Sequence, residues 1–252
     1  MENYDSSAPE MKEAKKSKFA LWIENFFYHY KWYVIAAVFV IAVITVCTVQ
    51  LCQRESYDAL ILYAGGKQIG KTGADGETAE YVTVNKAIKT EMKDYDGNGE
   101  IMLGLETFFW LSAEEIRELE ATKLPTEEIP YGTIMTNKES IDSMLLYSDY
   151  FVWFISDDLY EEYYEADESR MRFVVIEGLV EDGSEVEFYV NKSGVTDKHA
   201  IRLASTELYE LPGVKDLPED TLIVLRKLGT GANKSTERAY ENAQDIIRNI
   251  AN

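Results

Sequence analysis

The stretch YVIAAVFVIAVITVCTVQLC, residues 33–52, runs for 20 positions without a charge. At 1.5 Å per residue a helix of that length rises about 30 Å, the thickness of a bilayer's hydrocarbon core. The run divides the chain and decides what each part must be. It is expected to be an uncleaved transmembrane helix, a signal-anchor. The charged segment before it is too long for the n-region of a secretion signal, and no A-x-A site closes it. Neither Cys47, after Thr45-Val46, nor Cys52, after Gln50-Leu51, completes a lipoprotein box.

Upstream, residues 19–32 (FALWIENFFYHYKW) are rich in aromatic side chains. Trp and Tyr collect at headgroup level because their rings are apolar while their N–H and O–H need polar partners, so an interfacial aromatic helix is expected there. Residues 1–18 read as a disordered cytoplasmic tail. Lys12, Lys15, Lys16, Lys18 and Lys31 precede the apolar run, against Arg54, Lys67 and Lys71 after it. That bias places the N-terminus in the cytoplasm and the C-terminal part outside. The expected location is the cell membrane, single-pass, with the bilayer as partner for residues 33–52.

Residues 1–32 hold five acids and five bases, so the remainder carries the whole formal charge of −20. Nucleic acid is excluded as a partner, because phosphate would be repelled over most of that surface. Both cysteines lie in the apolar run, and His29 and His199 are the only histidines. A disulfide framework, a cysteine zinc site and a histidine-centred catalytic cluster are therefore not expected in the domain. No catalytic residue stands out.

Residues 55–252 alternate strand and helix patterns, which predicts one α/β domain, a mixed sheet covered by helices. Strands are expected over 57–64, 100–109, 149–155, 200–204 and 221–226, and helices over 77–92, 112–122, 137–146 and 157–165. Ser112 with Glu115 three residues on forms a capping box for the second of these helices. Glu181-Asp182-Gly183-Ser184 signals a hairpin between 171–177 and 185–190. An amphipathic helix closes the chain, with Ala239, Tyr240, Ala243, Ile246, Ile247 and Ile250 on one side.

Three motifs suggest chemistry. Gly65-Gly66-Lys67-Gln68-Ile69-Gly70-Lys71-Thr72 matches the phosphate-binding pattern G-x-x-x-x-G-K-[ST] after an apolar strand, the basis of a remote nucleotide-binding alternative. A working loop of that kind needs a helix starting at its lysine, and Gly73-Ala74-Asp75-Gly76 disfavours one. Asp94-Tyr95-Asp96-Gly97-Asn98-Gly99-Glu100-Ile101 has the first half of a calcium loop. Asp94, Asp96 and Asn98 supply side-chain oxygens, Gly99 makes the turn and Glu100 offers its carbonyl. Met102 and Leu105 stand where two further ligands belong, so the expected site is a weak one for calcium, and its competitor is a plain turn. Asp157, Asp158, Glu161, Glu162 and Glu165, with Tyr160, Tyr163 and Tyr164, form an acidic aromatic run suited to gripping a cation or a basic partner, and its competitor is a solvated helix face.

Several segments together resemble a group of uncharacterised single-pass membrane proteins of Gram-positive bacteria. They are Asn25-Phe26-Phe27-Tyr28-His29-Tyr30-Lys31-Trp32, Leu60-Ile61-Leu62-Tyr63-Ala64-Gly65, the 94–100 motif, Ser148-Asp149-Tyr150-Phe151-Val152-Trp153-Phe154-Ile155, and Ala200-Ile201-Arg202-Leu203. The order is similar, more distantly, to extracellular solute-binding proteins of ABC importers. The resemblance implies an extracytoplasmic, non-enzymatic binding or interaction domain that engages an envelope protein or a small solute. With about half the size of a two-lobed binding protein, the domain is not expected to enclose a ligand between two lobes. The alternative is a calcium-dependent structural or adhesion module using loop 94–100.

Overall fold

The computed structural model describes residues 17–52, 57–72, 76–122, 129–164 and 170–252. They fall into two compact units, Met1–Glu55 and Ser56–Asn252. In the first, the aromatic-rich segment 19–32 and the uncharged run 33–52 form one continuous helix, α1 (Lys18–Cys52). The expected tail lies outside the described residues up to position 16, and Lys18 is already helical. Within Leu21–Val49 an 18-residue window has mean hydropathy 2.5, and none of that window is buried. Thr45 and Thr48 turn their hydroxyls back onto the carbonyls of Ile41 and Ile44, each at 2.8 Å, so these two hydroxyls are satisfied within the helix. An uncovered apolar helix near the N-terminus is the form shared by membrane anchors and secretion signals.

The second unit is a three-layer α/β sandwich. Its elements are β1 (Ala59–Gly65), β2 (Lys71–Thr72), β3 (Gly76–Glu77), α2 (Ala79–Lys89), β4 (Leu103–Phe109), α3 (Ala113–Thr122), α4 (Tyr131–Tyr147), β5 (Val152–Ser156), α5 (Asp157–Tyr163), β6 (Phe188–Val190), β7 (Thr196–Arg202), β8 (Thr221–Leu225) and α6 (Lys234–Ala251). Six strands form a mixed sheet in the order β4-β1-β5-β8-β7-β6. β1 pairs in parallel with β4 and β5, and β8 runs antiparallel to β5. Parallel central strands are covered on both faces, which is why ALILYAG and VWFIS read as continuous apolar runs.

Alternate residues of β1 serve different cores. Ile61 and Tyr63 pack with α2 and α6 through Tyr81, Val84, Ile88, Ile246 and Ile247. Leu62 and Ala64 pack on the other face with Ile134 and Ile141 of α4 and Leu159 and Tyr160 of α5. From β1 the chain crosses to β4 over one face, then returns past β1 to β5 over the opposite face, so both crossovers have the same hand. The capping box forms: the Ser112 amide donates to Glu115 Oε2 at 2.6 Å, and the Glu115 amide to Ser112 Oγ at 3.2 Å.

The hairpin expected between 171–177 and 185–190 is not the one that forms. Phe173 makes only an isolated antiparallel bridge to Arg226, and Glu177–Leu179 is a short 3-10 turn. β6 pairs instead with β7, one turn further along. There Asn191 Oδ1 accepts from the amides of Ser193 and Val195, both at 3.0 Å, and Gly194 takes φ +78. That side-chain-braced turn closes the chain more tightly than 181–184 does. The strand expected at 200–204 accordingly begins earlier, at Thr196, and ends at Arg202.

Candidate functional site

Loop 94–100 leaves the end of α2 and delivers the chain into β4. Gly97 and Gly99 both adopt left-handed conformations, φ +75 and +92, which wrap the loop around Asp94. Asp94 Oδ1 accepts from the amides of Gly97 at 2.6 Å and Asn98 at 3.2 Å, and Oδ2 from Gly99 at 2.8 Å. The Gly99 amide foremost, then those of Gly97 and Asn98, hold the Asp94 carboxyl below its ordinary range. Asp96 accepts from the Asn98 amide at 3.0 Å and from its side-chain nitrogen at 3.0 Å, while Asn98 Oδ1 takes the Glu100 amide at 2.7 Å.

One further carboxylate, absent from the sequence-based set, joins the loop. Asp58 stands just before β1 and is 2% exposed. Its Oδ1 accepts from the amides of Tyr95 at 2.7 Å and Asp96 at 3.1 Å, and its Oδ2 from Met102 at 2.9 Å. Asp58, Asp94 and Asp96 each present an oxygen, all within 4.8 Å of one another. Asp94 and Asp96 thus come together as the motif predicts. Asn98 is braced against Asp96 and the Glu100 amide, and the Glu100 carboxylate is not in the group.

Helix α6 holds the base of this loop. Asn242 Nδ2 donates to the Asp58 carbonyl at 3.0 Å, Tyr95 Oη to Asp245 at 2.9 Å, and the Arg238 guanidinium to the Tyr95 carbonyl. Chemically, the three carboxylates offer hard oxygen ligands to a divalent cation. The same oxygens are also used by the backbone, which is what a self-sufficient turn requires.

The phosphate-loop motif does not acquire its geometry. Lys71-Thr72 is strand β2, paired antiparallel with Gly76-Glu77 of β3, and no helix begins at the lysine. α2 starts only at Ala79, with Thr78 as its cap accepting from the Tyr81 amide at 3.1 Å. The requirement that helix amides surround a phosphate at Lys71 is therefore unmet.

The acidic run 157–165 is engaged within the domain rather than forming one solvated face. Tyr160 is buried and donates to Asp197 at 2.6 Å; Tyr163 donates to Asp142 at 2.6 Å. Lys192 pairs with Asp158 at 2.7 Å and Lys138 with Glu162 at 3.4 Å, while Glu161 accepts from the Tyr189 hydroxyl at 2.9 Å. Glu165 lies outside the described residues. Asp157 and Asp158 sit at the carboxyl end of β5, beside the start of β8 at Asp220. The crossover from β1 goes to β4 on one side, and the crossover from β4 lands at β5 on the other. The carboxyl ends of β1 and β5 flank that switch point, the usual ligand position in open α/β sheets. Burial first, then the charges of Asp157, Glu115 and Asp158, push the Asp220 carboxyl up to about 6. His199 is structural, with Nδ1 2.6 Å from Asp197.

No protein family, curated protein or solved structure matches this chain.

Proposed function

We propose that this chain is a non-enzymatic binding or interaction protein of the cell envelope. In this reading α1 spans the membrane with the N-terminus in the cytoplasm, and the domain from residue 56 faces outward to engage an envelope protein or a small solute. The observation that carries it is α1: apolar side chains such as Phe39 and Ile41 are 68% and 63% exposed. Burying each such side chain gains about 1.5–3 kcal/mol, so the uncharged run of residues 33–52 favours lipid strongly. The excess of lysines before it and the acidic body after it support the orientation.

The test is two-sided labelling. Ser193→Cys, in the exposed turn after β6, is introduced with Cys47 and Cys52 replaced by Ser. A membrane-impermeant maleimide should label it in intact cells as fully as after lysis, and alkaline carbonate should leave the chain in the membrane pellet. Protection until lysis, or release by carbonate, defeats the proposal. Turnover of any substrate by the purified full chain defeats its non-enzymatic part.

A second reading, a weak calcium-dependent module, is favoured by the convergence of Asp58 on Asp94 and Asp96 within 4.8 Å. Millimolar calcium should then raise the melting temperature of the full chain in detergent, and Asp96→Asn should abolish the rise. No rise with calcium, or the same rise in the variant, leaves the loop as a turn alone.

A further inference from the structure

Of the ten asparagines in the chain, Asn98 is the one followed by glycine. Glycine has no side chain to shield its nitrogen, so this pair is where a backbone amide most easily attacks the side-chain carbonyl before it. In a free peptide the reaction is slow. An amide nitrogen is a weak nucleophile until a base activates it, and an amide nitrogen leaves poorly unless it gains a proton.

Loop 94–100 places a group at each of these weak points. The Gly99 N–H points at Asp94 Oδ2, 2.8 Å away, a carboxylate in the position of a general base. Asn98 Oδ1 accepts from the Glu100 amide at 2.7 Å, so a donor already stands where negative charge develops on the attacked carbonyl. The same bond folds the Asn98 side chain forward into a ring that contains the Gly99 nitrogen. On the leaving side, Asn98 Nδ2 donates to Asp96 Oδ2 at 3.0 Å. Asp94 and Asp96 present oxygens within 4.8 Å of each other, near enough for one solvent molecule to carry a proton between them. Asn98 and Gly99 are both exposed, so water reaches the product.

We propose that Asn98 is a self-modifying site, at which the folded loop promotes its own deamidation. The Gly99 nitrogen bonds to Asn98 Cγ while Asp94 takes its proton. The bond from Cγ to Nδ2 then breaks, and the nitrogen leaves as ammonia with that proton, relayed through Asp96. The product is a cyclic imide. Solvent water opens it at either carbonyl, leaving aspartate or isoaspartate at position 98, with nothing oxidised or reduced. The change is irreversible and sets a fourth carboxylate beside Asp58, Asp94 and Asp96. It depends neither on the side of the membrane the domain faces nor on calcium.

The experiment is peptide mapping by mass spectrometry. The full chain in neutral detergent is incubated in heavy-oxygen water, beside a synthetic peptide of residues 92–104 in the same buffer. That peptide carries the Asn-Gly pair without the folded loop, so its rate is the rate of the sequence alone. A positioned base contributes about 10²–10⁴ in a shielded site, and solvent around an exposed loop removes part of it. Conversion at position 98 should therefore be at least about tenfold faster in the chain than in the peptide. The product should carry one heavy oxygen and include isoaspartate, detected by enzymatic methylation. Asp94→Asn and Asp96→Asn should each bring the rate towards that of the peptide. Asp96→Asn leaves the bonds from the Gly97 and Gly99 amides to Asp94 in place, so it separates lost chemistry from a lost loop. A chain that converts no faster than the peptide overturns the proposal. So does a product without isoaspartate, which would mean that water and not Gly99 attacked, or an undiminished rate in either variant.

Discussion

Carboxylates crowd at two ends of the same sheet, and the two crowds are held in opposite ways. At the amino end of β1, Asp58 and Asp94 face backbone amides: three N–H groups point at each. At the carboxyl end of β5, Asp157 and Asp220 are partly buried beside each other and Asp158, with Glu115 near Asp220, while Asp158 itself pairs with Lys192 at 2.7 Å. The first arrangement lowers the Asp94 carboxyl, and the second raises Asp157 and Asp220. Residue type does not decide the sign: burial, then neighbouring carboxylates, raises Asp157 and Asp220, while peptide N–H groups aimed at the exposed Asp94 lower it.

The largest effect should come from removing the buried member of the amide-held group. Asp58→Ala leaves three backbone donors without their acceptor in a site 2% exposed to water. A loss on the order of 3 kcal/mol is expected, read as a melting temperature lower by roughly 6–12 °C. Asp58→Asn keeps an acceptor and should lose less. Equal losses in the two variants would mean that the acceptor role is not what Asp58 contributes.

A smaller effect isolates the backbone of the same loop. A Cβ at Gly99 would meet nothing within 4 Å, yet the residue sits at φ +92. Gly99→Ala should therefore cost about 1 kcal/mol from the conformation alone, with no clash to relieve. An unchanged melting curve would show that the loop relaxes freely, and the amide cage around Asp94 would then be incidental.

What was legible in the sequence follows from the range of the interactions. β1, β4, β5 and β8, the helices in outline and the Ser112 cap were readable because periodicity and capping are local. Ser112 and Glu115 are three residues apart, whereas α4 begins at Tyr131, ahead of the expected 137. Loop 94–100 was readable for the same reason. Asp58 was not, because it meets the loop only through the parallel register that sets Ala59 opposite Leu103. The hairpin around residues 181–184 misled because a good turn needs a partner strand. The sheet edge at β7 took β6 instead, leaving 171–177 with one bridge to Arg226. The phosphate-loop pattern misled because it specifies residues and not the helix that must follow; β2 and β3 occupy that place.

The comparison predicts opposite responses to acid. Asp220 has its native carboxyl raised from 3.8 to about 6, so the folded state holds that proton more tightly than the unfolded one. Its ionised form therefore destabilises the fold fully above pH about 6, and the penalty disappears as the pH falls towards 3.8. Asp94 behaves in the reverse sense: its contribution is present above the ordinary carboxylate range and is lost as the pH falls through its lowered value. The chain should thus melt higher at pH 5 than at pH 7, then lose stability below the ordinary carboxylate range. Asp220→Asn removes the first limb and leaves the second. At pH 7 it should stabilise by no more than about 1 kcal/mol, because solvent screens a partly exposed group. A variant that destabilises at pH 7, or keeps the rise between pH 7 and 5 undiminished, would show that burial and acidic neighbours are not what raises the carboxyl at Asp220.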